Sequence, residues 1–116
     1  MAGRDRNATW PRDRANRISV KAAETLAANR TITPAEVERY QLMAFNAVAT
    51  GRTITLPPEE SSAGVQLFII NASSGAAALT VQNDAAGAVT VIQQSESGMV
   101  VCDGTSWFAM TGAVNS

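Results

Sequence analysis

From residue 52 onward the chain repeats one pattern: a short apolar run, then a cluster of Gly, Asn, Asp, Ser or Pro. The runs at 53–56, 65–71, 77–82, 89–92, 98–103 and 107–111 read as β-strands, and "PPEESSAG", "ASSGA", "NDAAGA" and "QQSES" read as the loops between them. Strands at this spacing, with no helical period between them, predict an all-β sandwich, barrel or jelly roll and not alternating βαβ units. Two of the runs, "VQLFII" and "GMVVC", are apolar at consecutive positions, so both faces of those strands need cover. In a small β domain the second face is ordinarily solvated; contacts between subunits are the expected cover.

Before residue 52 the pattern is less uniform. Residues 1–16 are polar and basic without periodicity, and Pro11 after Trp10 favours extended backbone there. In "RISVKAAETLAAN", Ile18, Val20 and Ala22 alternate before an alanine-rich segment that suits one or two helical turns. An internal echo follows, "RTITP" at 30–34 and "RTITLP" at 52–57. Both copies read as brief strands of β-branched residues ended by proline. Between them Thr33, Pro34 and Glu36 form a helix start with a capping box. Two readings are open for what comes next. One helix runs to Gly51 with Val37, Tyr40, Ala44, Ala47 and Val48 on one face; alternatively the helix is short and "QLMAFNA" is a strand that hairpins through "VATG" into "RTITLP". The local pattern by itself leans to the helix.

Composition narrows the chemistry. The chain has 116 residues, one domain by length with at most an extension, and no histidine. Without histidine the usual general base, the Ser-His-Asp and Cys-His pairings and the commonest zinc ligand are all missing. The single cysteine, Cys102, excludes an intrachain disulfide. It stands between Val101 and Asp103, with no Lys or Arg after residue 52, so nothing nearby holds a thiolate; a buried structural role is expected. Glu59, Glu60, Asp84 and Asp103 are the conceivable metal or glycosidase carboxylates, and adjacent Glu59 and Glu60 on a proline-led loop suit solvated surface charge. No enzyme, cofactor or metal is expected. No run of about 18 or more apolar residues is present, so no membrane span is expected. The charged N-terminus does not resemble a signal peptide, which points to synthesis and retention in the cytoplasm.

At "RTITLP", "VQLFIIN", "ALTVQ", "VTVIQ" and "VVCDGTSWFAM" the chain resembles the small β-domains of tailed-phage head decoration, or cement, proteins; related domains occur in phage tail fibres and spikes. The resemblance covers about residues 30–112. It implies a short helix followed by a strand within "TITPAEVERYQLMAFNA", and a jelly-roll-like or barrel-like β-sandwich that forms a homotrimer. It also implies a partner, the major capsid protein, whose subunits the trimer clamps at threefold and quasi-threefold positions on the outer surface of the virion. A tail-fibre or spike domain that binds a host receptor is the alternative.

The charge distribution divides the chain into a basic N-terminal arm, residues 1–29, and a β-domain, residues 30–116. All nine basic residues lie between Arg4 and Arg52, and residues 53–116 hold five acids and no Lys or Arg. Arg4, Arg6, Arg12, Arg14 and Arg17 flank Trp10, a set suited to pairing with carboxylates on a coat surface and burying one aromatic anchor. Phosphates also attract arginine, but an acidic body repels a duplex and the arm lacks interleaved aromatics, which weighs against nucleic acid. Leu67, Ile69, Val100, Trp107 and Phe108 are the residues expected to pack the core or the trimer contact. "GMVVCDGTSWFAMTG" reads as a final hairpin that turns at Asp103 and Gly104, with Trp107 and Phe108 directed to opposite faces.

Overall fold

The computed structural model describes residues 17–112. Its elements in chain order are β1 (Glu24–Thr25), β2 (Arg30–Thr31), α1 (Pro34–Arg39), β3 (Leu42–Asn46) and β4 (Arg52–Thr55). After a 3-10 turn (Glu59–Ser61) come β5 (Gln66–Asn71), β6 (Leu79–Gln82), β7 (Ala88–Ile92), β8 (Ser97–Cys102) and β9 (Trp107–Gly112). They form the all-β sandwich expected from the strand spacing. One sheet has the order β9-β8-β5-β3-β1 and the other β2-β4-β6-β7.

The first six strands alternate between the two sheets and pair in parallel within each: β1 with β3 with β5, and β2 with β4 with β6. The chain therefore winds as a flattened coil of three turns, each contributing one strand per sheet. Strands β7, β8 and β9 then return antiparallel against β6, β5 and β8.

The echoed "RTIT" segments are neighbouring turns of this coil. They do not pair in register with each other, since Arg30 lies opposite Ile54 and Thr31 opposite Thr55. The slip is two residues, which preserves the facing of every side chain because strand side chains alternate with period two. Ile32 and Ile54 consequently both point inward and are wholly buried.

Helix α1 is short, and a strand follows it. Thr33 caps it: the Glu36 amide donates to Thr33 Oγ1 at 3.2 Å, and the Thr33 amide donates to Glu36 Oε1 at 3.0 Å. It ends at Tyr40, whose backbone is extended. A longer helix loses because Met43, Phe45 and Ala47 alternate inward and are buried, whereas the helical face through Ala44 and Val48 is never assembled. The expected hairpin into "RTITLP" does not form either. Strands β3 and β4 lie in different sheets, and the turn between them carries the chain across the sandwich.

Two further expectations change at the N-terminal side. The alanine-rich segment forms no helical turn. Residues 24–25 pair with Phe45 and Asn46, the Leu26 amide donates to Asn46 O at 2.8 Å, and Leu26 is buried in the core. Burial of one leucine and a ladder outweigh alanine's helix preference, which is worth well under about 1 kcal/mol per residue. The β body accordingly starts before residue 30: the Val20 bridge to Leu42 places residues 20–29 with the sheets.

The core fills the space between the sheets with Ile32, Met43, Phe45, Ile54, Leu56, Leu67, Ile69, Leu79, Val81, Ile92 and Val100, all wholly buried. Asn71 is a polar side chain wholly buried beside these residues. Its Nδ2 donates to Ala77 O and Ile92 O, both at 2.8 Å, and its Oδ1 accepts from the Ser73 amide at 3.0 Å. These bonds satisfy carbonyls that the sandwich closes off from water.

Candidate interaction surface

The final hairpin takes the predicted form. Trp107 lies opposite Cys102, and Asp103 closes the turn by accepting from the amides of Thr105 and Ser106, each at 2.8 Å. Those amides, Ser106 first, hold the Asp103 carboxyl below the usual range. Gly104 takes φ +97°, a conformation that glycine adopts without steric cost. Trp107 turns inward, and its Nε1 donates to Pro57 O at 3.0 Å. Phe108 turns outward and is 55% exposed.

Cys102 is buried. Its Sγ accepts from the Gly104 amide at 3.4 Å and donates to Glu59 O at 3.5 Å, so the thiol links the hairpin to the 3-10 turn. Glu60, Asp84 and Asp103 are exposed, and among the described residues no group of three His, Cys, Asp or Glu side chains converges on one point. Among these residues, too, no helix is long and apolar enough to cross a membrane.

Of the residues expected to pack, Leu67, Ile69, Val100 and Trp107 lie in the core. Phe108 stands apart from them on the outer face of the five-stranded sheet. Of the arm residues, Arg17 is exposed; Arg4, Arg6, Trp10, Arg12 and Arg14 lie outside the described residues.

Around Phe108 the sheet assembles an apolar face from side chains that are scattered in sequence. Met110 is opposite Met99, Met99 opposite Phe68, and Phe68 opposite Leu42, which bridges to Val20. This row crosses the whole sheet. Phe108 and Val101 pair beside it on one flank, Ile70 and Ala44 on the other. All of these occupy the non-core positions of strands that alternate strictly inward and outward. Met110 is 64% exposed, and a shallow cavity of about 240 Å³ is lined by Met99, Val101, Phe108, Ala109 and Met110. Only Phe108 of this face is among the packing residues read from the sequence. The signal for the others was the consecutive apolar positions of "VQLFII" and "GMVVC", which demand a second covered face without saying which residues share it.

Charge is placed elsewhere. Arg30 sits where the edges of the two sheets meet, with its Nε donating to Glu24 at 2.9 Å and its Nη2 donating to Glu36 at 2.6 Å. Its guanidinium lies 5.9 Å from the centre of the buried Phe45 ring. The hydrogen bond from Arg30 holds Glu36 down at about 2 and lowers Glu24, while Arg30 itself is raised by both carboxylates. A fully engaged guanidinium with two partnered carboxylates braces the fold; it leaves no free valence for a ligand. A second cleft, of about 330 Å³ between Glu38, Tyr40 and Gly64, is polar and contains no second charged side chain. The outer sheet face is thus an apolar feature of the described surface that the fold itself does not explain. Comparisons with protein-family models, with curated proteins and with solved structures find no match to this chain.

Proposed function

We propose that this chain is a structural protein that coats a larger assembly, and that the assembly is the capsid of a tailed phage. On this reading it is a homotrimer on the outer surface of the virion, seated at threefold and quasi-threefold positions. Three basic arms with their Arg4, Arg6, Trp10, Arg12, Arg14 and Arg17 side chains hold the major capsid protein. The function is mechanical: contacts that span capsomer boundaries stabilise the shell, and linking three weak arms raises their effective concentration on it. No catalysis, cofactor or nucleic acid enters.

The observation that carries the reading is the uncharged apolar face through Phe68, Met99, Phe108 and Met110. Apolar surface of this extent on a small domain marks an association site. The phage setting comes from the sequence resemblance in residues 30–112. Co-sedimentation of the purified full chain with mature heads and with isolated tails tests it. Binding to heads is expected, and removal of residues 1–16 should abolish it while the β body stays folded. Binding to tails alone defeats the capsid reading in favour of a fibre or spike domain.

A further inference from the structure

We infer that the outer face of the five-stranded sheet is where a second copy of this chain seats, centred on Phe108 and Met110; the inference deepens the assembly reading above and rests on it. Three observations select the occupant.

The first is charge. At the outward positions of β3, β5, β8 and β9 stand Leu42, Ala44, Asn46, Gln66, Phe68, Ile70, Ser97, Met99, Val101, Phe108 and Met110, with no charged side chain among them. Glu96 and Asp103 stand just outside the two ends of β8. A partner chosen by charge, whether a nucleic acid or a charged coat surface, has nothing to pair with here. An uncharged apolar face is matched by uncharged apolar surface on a neighbouring copy, and three such faces turned toward one axis close the trimer proposed above.

The second is continuity. The β9-β8, β8-β5 and β5-β3 registers run without a shift, whereas a register shift among the described residues falls in the other sheet at Val81 and Gln82. The row from Met110 to Leu42 is therefore unbroken, and the face presents one continuous apolar surface. Methionines at its exposed end adapt to an opposing surface at little steric cost.

The third is size. Four strands ~4.8 Å apart, each about five residues long at ~3.4 Å per residue, make a face of roughly 300 Å² in plan. That suffices for the desolvated centre of a standard interface of about 800 Å² per partner, whose rim is polar. Gln66, Ser97 and Asn46 supply such a rim.

Sedimentation velocity of the full chain across a wide concentration range tests the inference. The wild type should associate. Phe108→Lys with Met110→Lys should raise the dissociation constant by about a hundredfold or more, because two ammonium groups must then be desolvated at the centre of the contact. The milder pair Phe108→Ser and Met110→Ser should act in the same direction, and both pairs should keep the wild-type circular dichroism because the replaced side chains already face water. Val91→Lys, on exposed β7 of the other sheet, should change nothing. A wild-type chain that is monomeric at every concentration, or folded variants that associate as the wild type does, overturns the inference. Head binding is read separately. A chain that associates through this face but binds no heads upholds the inference and defeats the capsid reading; a monomer that binds heads does the reverse.

Discussion

Arg30 on β2 and Glu24 on β1 join the edges of opposite sheets: the guanidinium donates from Nε at 2.9 Å and from Nη2 at 3.1 Å. The same guanidinium reaches Glu36 in the capping box of α1. One side chain thereby ties together the first turn of the coil, where β1 and β2 are only two residues long and backbone pairing is least. At the other side of the sandwich Thr90 and Thr111 share a hydroxyl hydrogen bond at 2.6 Å between β7 and β9.

Replacing Arg30 by Met should therefore destabilise the fold by about 1–3 kcal/mol, the range for hydrogen bonds to charged groups in a partly exposed site. Acid should act through the same contacts. Glu36 is held at about 2, below its ordinary value of 4.5, and Glu24 is lowered as well. A depressed carboxylate stabilises the fold fully above its unfolded value, and that contribution is lost as the pH falls through its folded value. The melting temperature should drop as the pH goes from about 4.5 toward 2. In Arg30→Met this acid-dependent drop should be smaller; an equal pH dependence in both proteins would show that the cluster does not carry it.

Asn71 gives a sharper test of the core. Asn71→Ala removes the donors to Ala77 O and Ile92 O and the acceptor for the Ser73 amide, breaking three buried hydrogen bonds. The expected cost is about 3 kcal/mol or more, read as a shift in the urea midpoint at unchanged slope. Asn71→Asp should not rescue it, because an ionised carboxylate cannot donate to two carbonyls.

Trp107 separates packing from hydrogen bonding. Trp107→Phe keeps an aromatic ring and loses the donor to Pro57 O, for about 1–2 kcal/mol. Trp107→Ala also opens a cavity under the hairpin and should cost about 3–5 kcal/mol. Equal melting temperatures for the two variants would mean that the ring contributes no packing.

Strand positions and turn chemistry were legible because they are local. The Asp103-Gly104 turn, the split of Trp107 and Phe108 between faces, the capping box at Thr33 and the burial of Cys102 all follow from a few adjacent residues. The candidate face was legible in part: consecutive apolar residues in "VQLFII" and "GMVVC" called for a covered second face. Its membership was not, since Met110, Met99, Phe68 and Leu42 become neighbours through strand pairing.

By itself, then, the sequence determined the all-β class, the boundaries of the strands after residue 51 to within a residue or two, the final hairpin and the segregation of charge. Each depends on side-chain period and turn preference along a short segment. Tertiary structure alone decided that "RTIT" pairs with its echo two residues out of register, and that the chain leaving β3 crosses to the other sheet instead of folding back. It also decided that the alanine-rich segment gives up its helix to place Leu26 in the core. Parallel neighbours are twenty or more residues apart along this chain, as Arg30 and Ile54 are. No local preference acts over that distance; what selects the register is the even slip that puts Ile32 and Ile54 on the same buried face.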